Sequence, residues 1–199
     1  MTELRAVAVA ELKPILDVLT GLPEHASMET FPGIVAQLGW TLQTEGVGKT
    51  NLDVSRRTLL AGAQNTADGN RELVSVDFRV TDTLAEKSMA SRKVIADVFP
   101  GMLDVVSACL GFSPTREMWA NPGATWDLPN GKQVNLFPAE NTIIIEVWAK
   151  RLADVERSEI RLGVDPAHSL DDRPSGLSRL NWWDEQAERA SGKAAGPPS

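Results

Sequence analysis

Hydrophobic and polar residues alternate most regularly between Leu73 and Thr81. Val74, Val76, Phe78 and Val80 point to one side; Ser75, Asp77, Arg79 and Thr81 point to the other. Successive side chains of a strand face opposite ways, so this run predicts an antiparallel strand with one face on a core and one toward water. The period then changes. Ile95, Val98, Phe99, Met102, Val106, Cys109 and Leu110 recur at three- and four-residue spacings and predict a long amphipathic helix. Thr83 with Glu86 predicts a capping box at its start, and Gly111 followed by Pro114 predicts its end. Pro100 falls on the polar face. It has no N–H for the carbonyl of Ala96 and its ring crowds that carbonyl, so a kink around the sheet is expected there and not a break.

The rest of the chain is laid beside this pair. Residues 4–20 predict a helix interrupted or restarted at Pro14 and stopped by Gly21. Thr30 to Gly39 predicts a short helix, with Thr30 as N-cap, Pro32 in the first turn and Gly39 as the stop. Strands are expected over Trp40–Thr44 and Arg57–Ala63. Between them, Gly46-Val47-Gly48-Lys49-Thr50 ends like a phosphate-binding loop. Gln43 stands where that loop requires its first glycine, however, and no helical pattern follows Thr50, so a flexible hairpin loop is expected instead.

Two more hairpin arms follow the long helix. A two-residue Asn130-Gly131 turn would mix polar and apolar side chains on both faces. A Pro129-Asn130-Gly131 loop, a type I turn with glycine in the left-handed position, pairs Trp126 with Val134 and Ala124 with Leu136 and segregates the faces. In the strand from Thr142 to Trp148, Ile143, Ile145 and Val147 join the core face, whereas Ile144 and Trp148 lie on the other, beside Gln133 and Asn135. Residues 150–162 predict a charged helix. The fold class is therefore α+β: an antiparallel sheet of about five or six strands, a long kinked helix packed on one face, and N- and C-terminal helices. Residues 1–162 form the single domain, 163–189 a C-terminal extension containing a short helix with Trp182 and Trp183, and 190–199 a disordered tail.

Composition narrows the function classes. A net charge of −7 and a pI of about 4.9 argue against a nucleic-acid binder that relies on a broad basic surface. The single Cys109 excludes an intramolecular disulfide, suits a reducing compartment and sits on the buried helical stripe as a core filler. The apolar run Ala6–Ala10 is too short for a signal sequence, and no stretch matches a membrane span, so a cytoplasmic location is expected. His25 and His168 lie in expected loops, away from metal-ligand spacing, and no serine sits in a nucleophile elbow; neither a metal, a cofactor nor an enzyme activity is expected. Asp77 and Arg79 predict a surface ion pair. Ile144, Trp148, Trp182 and Trp183 are the candidate partner-binding residues. The C-terminal tryptophans could instead cover the sheet of their own chain, or the face could form a homodimer.

Leu38-Gly39-Trp40 closing a short helix, Arg79-Val80-Thr81-Asp82 ending a strand, Leu110-Gly111 with Pro114, and Trp126 ahead of Thr142-Ile143-Ile144-Ile145 together resemble an uncharacterised domain family of actinobacteria, over roughly residues 30–150. The element order is also similar to the secretion-chaperone-like fold. That resemblance implies a toxin–immunity context. The function expected from it is a protein-binding immunity protein for a cognate secreted toxin, with a dimeric secretion chaperone and a small-molecule enzyme or sensor as alternatives.

Overall fold

The computed structural model describes residues 4–164. The expected strands form, and two short ones join them, one between the first two expected strands and one at the far edge of the sheet. Val47–Lys49 (β2) pairs back on Thr41–Thr44 (β1) and forward on Thr58–Asn65 (β3). Gly48 makes this possible: a Cβ there would run into the carbonyl oxygen of Thr41, so the backbones approach as only glycine allows. The segment resembling a phosphate loop is thus a hairpin with its second arm in the sheet. Arg71–Arg79 (β4) continues the meander. After Met89–Leu110 (α3) come Arg116–Glu117 (β5), Ala124–Asp127 (β6), Gln133–Pro138 (β7) and Ile143–Trp148 (β8). The result is one antiparallel sheet of eight strands, ordered β1-β2-β3-β4-β8-β7-β6-β5, larger than the five or six expected. The additions have three and two residues, too few to show a hydrophobic period.

The 128–132 connection follows register logic. Leu128 N–H donates to Lys132 O at 2.9 Å, Gly131 has φ +82°, and Trp126 faces Val134 while Ala124 faces Leu136. β4 departs from its expected alternation. Gly62 faces Ser75 and Ala63 faces Leu73, so Val74 is an extra residue, and its carbonyl accepts a bond from Ala149 N. Such a bulge reverses the alternation beyond it. Leu73, and not Val74, therefore joins Val76, Phe78 and Val80 in the main core.

Val9–Gly21 (α1), Phe31–Gln37 (α2) and α3 share that core with one face of the sheet. Residues 4–8 do not belong to α1: Val7 N–H bonds Val80 O, and Ala6 bridges to Thr81. Both α1 and α3 run through their prolines without interruption. α3 begins at Ser88, whose hydroxyl accepts from Ser91 N, and not at Thr83. Thr83 N is already bonded to Ser55 Oγ and Leu84 N to Asn141 O, which holds residues 83–84 out of a helix. Gly111 ends α3 in the left-handed conformation, as expected. At the C-terminus of α1, Lys132 Nζ donates to the carbonyls of Thr20 and Leu22. A cation suits that end of the helix dipole, and burial pushes the amine's pKa down.

Lys150–Leu162 (α4) lies on the opposite face of the sheet, where Glu156 and Arg157 reach Gln133, Arg116 and Asp127. That face is not a water-facing one. Ser75, Asp77, Arg79 and Thr81 are all at most 3% exposed, so the expected surface ion pair of Asp77 and Arg79 is replaced by buried charge. Alternation reports which residues share a face; it does not report whether the face meets solvent. No described helix is long and apolar enough to cross a membrane.

Candidate functional site

Register places a polar row across the second face. Asp77 on β4 stands opposite Glu146 on β8, Glu146 opposite Asn135 on β7, Asn135 opposite Thr125 on β6, and Thr125 opposite Arg116 on β5. The first four are buried. Like charges on directly opposed strand positions repel, and Arg79 supplies a cation two residues along from Asp77 on the same face. Thr125 Oγ1 donates to Asn135 Oδ1 at 2.8 Å. At one end, the row gives way to a small apolar cluster of Leu60, Phe137, Ala139 and Ile144.

At the other end α4 closes an ionic network. Asp127 is its hub: it accepts from Gln133 Nε2 at 2.9 Å, Arg157 Nη2 at 2.9 Å, Thr115 Oγ1 at 2.9 Å and Arg116 Nε at 3.3 Å. Arg116 also donates to Glu156, which receives a second bond from Gln133 Nε2 at 3.2 Å. Burial pushes the Asp127 carboxyl up, but the bonds from Gln133, Arg157 and Thr115 and the charge of Arg116 outweigh it and hold the pKa below its ordinary value. A carboxylate with a depressed folded pKa stabilises the fold above its ordinary value, and that stabilisation is lost as pH falls through the folded one. The melting temperature is therefore expected to fall more steeply on acidification below about pH 5 in the native chain than in Asp127→Asn. Thermal unfolding followed by circular dichroism at stepped pH measures the two slopes. Parallel slopes would remove Asp127 from the acid response.

A second concentration of polar groups is open. His25 Nδ1 lies 2.7 Å from Glu72 Oε1, and Arg151 Nη1 donates to Glu72 Oε2 at 3.1 Å. Glu72 is 4% exposed, whereas the His25 side chain is 77% exposed, so a buried carboxylate fixes an imidazole whose far edge meets water. The groove beside them, of about 510 Å³, is lined by Ser27, Glu29, Thr66, Asp68, Asn70 and Arg71 as well. Hydrogen bonding from Thr66, together with backbone and Asn70 donors, holds the Asp68 carboxyl below its ordinary pKa. Arg71 is paired with Glu45 and Arg151 with Glu72. Glu29 and Asp68 have no cation partner among the described residues, which leaves the groove acidic. The described residues hold no group of three or more His, Cys, Asp or Glu suited to a metal ion.

Of the residues expected to bind a partner, Ile144 is 1% exposed and packs with Leu60 and Phe137, so it is not an open apolar surface. Trp148 is half-buried, on the same face beside Gln133 and Ser75. Trp182 and Trp183 lie outside the described residues. Sequence reasoning missed the buried polar row. Its signal was Glu146, a lone carboxylate inside Ile143-Ile144-Ile145-Glu146-Val147-Trp148, on a face shared with Ile144. His25 and Glu72 left no such mark, since they are 47 positions apart.

Residues 10–148 match the family model DUF6301, a family of unknown function. The chain belongs to that family. No curated protein and no solved structure matches it. The DUF6301 match runs from α1 to the end of β8 and so contains the sheet, the polar row and every described residue of the acidic groove. α4 begins just beyond it, at Lys150.

Proposed function

We propose that this DUF6301 chain is a non-catalytic protein-binding protein, an immunity protein that occupies the active site of a cognate secreted toxin. The observation that carries the reading is the acidic groove beside His25 and Glu72. It is concave, its walls are set by the β3–β4 hairpin and the 3₁₀ turn Met28–Thr30, and Glu29 and Asp68 lack described cation partners. A basic loop, such as one that binds a nucleic-acid or phosphate substrate, complements it in charge. The ionic network supports the non-catalytic part of the reading, because Gln133, Asp127, Arg116 and Glu156 bond one another across the sheet and α4. Complementary charge acts mainly on partner choice and association rate.

Co-expression with the product of the adjacent gene tests the reading: a stable complex and protection from that product's toxicity are expected. In the complex, Glu29→Lys with Asp68→Lys is expected to slow association about tenfold or more at low salt, with the difference shrinking toward 1 M salt as charges are screened. Absence of both a complex and protection would sink the reading.

A further inference from the structure

We propose that α4 is a detachable strap, an element that lifts from the polar face of the sheet as a unit while the rest of the domain stays folded. This rests on how α4 is held and does not depend on what the acidic groove binds, although the Arg151–Glu72 pair belongs to both. Its buried apolar contacts come from Leu152 and Ala153 alone. Much of the remaining attachment is ionic: Arg151 to Glu72, Glu156 to Arg116 and Arg157 to Asp127, with Arg157 Nη1 donating also to Gly131 O and Gln133 Nε2 to Glu156. The helix also hides Glu156 and Glu159 while leaving Val155, Ile160 and Leu162 exposed, the reverse of what apolar packing selects. Each cation of the strap's ion pairs is at least 24% exposed, so salt reaches them. Purely apolar attachment would not be weakened in this way.

The face beneath is suited to a second occupant. Gln133 and Asn135 are fully buried, yet Gln133 Oε1 and Asn135 Nδ2 have no hydrogen-bond partner among the described residues. Buried polar atoms are seldom left so. α4 itself indicates the chemistry the face accepts: a carboxylate, here that of Glu156, set between the Arg116 guanidinium and the Gln133 amide. With the strap lifted, an acidic peptide segment would place a carboxylate in the same position and offer a backbone N–H to the unbonded Gln133 Oε1.

Hydrogen–deuterium exchange on the full chain tests the strap. Amides of residues 154–160 are expected to exchange about tenfold or more faster in 1 M sodium chloride than at low salt, where the screening length shrinks from roughly 30 to 3 Å. Amides of β4, β7 and β8, measured in the same samples, should not change. Glu156→Gln, which keeps the shape of the side chain and removes its charge, is expected to reproduce the acceleration at low salt. End fraying, which salt promotes through the intrahelical Lys150–Asp154 and Arg157–Asp154 pairs, would not respond to Glu156→Gln. If α4 exchanges at the rate of β4 and β8 in every condition, or is insensitive to both salt and Glu156→Gln, the strap is refuted.

Discussion

Trp126→Ala is expected to lower stability by about 3–5 kcal/mol, a fall in melting temperature on the order of 10 °C for a domain of this size. Trp126 is fully buried where β6 faces Val134 of β7, in the cluster that unites α1, α3 and the sheet. Its indole Nε1 donates to Phe112 O at 3.2 Å, which ties the end of α3 to the strand. Truncation removes a large apolar volume, leaves a cavity the rigid sheet cannot collapse, and frees the Phe112 carbonyl. Trp126→Phe separates the contributions, since it keeps most of the volume and loses the bond; a loss of about 1–2 kcal/mol is expected. Urea unfolding followed by circular dichroism measures both. A loss below 1 kcal/mol for the alanine variant would show that the second half of the sheet does not depend on this residue.

The second large effect lies on the other face. Arg116→Met is expected to cost about 3 kcal/mol, because it strands a buried Glu156 carboxylate and takes a donor from Asp127. The Glu156 side chain is only 7% exposed, so water replaces the guanidinium poorly. Adding Glu156→Gln should recover part of the loss, since a neutral amide is cheaper to bury than an unpaired carboxylate. The double-mutant cycle from urea titrations reports the coupling directly. If the two losses simply add, Arg116 and Glu156 act independently, and the ionic attachment of α4 is weaker than its geometry implies.

Much of the helical face was legible along the chain. The stripe from Ile95 to Leu110 gave α3, because a helix that buries one side must repeat its apolar residues every three or four positions. The Pro129-Asn130-Gly131 loop and its register were legible because glycine at a positive φ and the segregation of faces allow one pairing. The bulge at Val74 was not. It depends on where β3 ends its pairing, and nothing local to Leu73–Ser75 records that. The start of α3 was misplaced for a similar reason: Thr83 has the chemistry of an N-cap, but Ser55, far away in sequence, bonds its backbone first.

The candidate site was hardly legible at all. His25 and Glu72 meet because the connector after α1 runs alongside the first residues of β4, as the Ser27–Glu72 bridge records. Arg151 meets them only after β8 has been inserted next to β4. The row from Asp77 to Arg116 likewise needs five strands that are dispersed along the chain and brought into line by register.

By itself the sequence determined the local elements, the core side of the central strand and the α+β class, since periodicity and turn chemistry act between near neighbours. Tertiary structure decided the strand order, the fate of the second face and the company each charge keeps. The physical reason is the same in each case: an alternating pattern says that two sets of side chains part, and only the packed chain decides whether the second set meets water, as the buried Asp77 and Arg79 demonstrate.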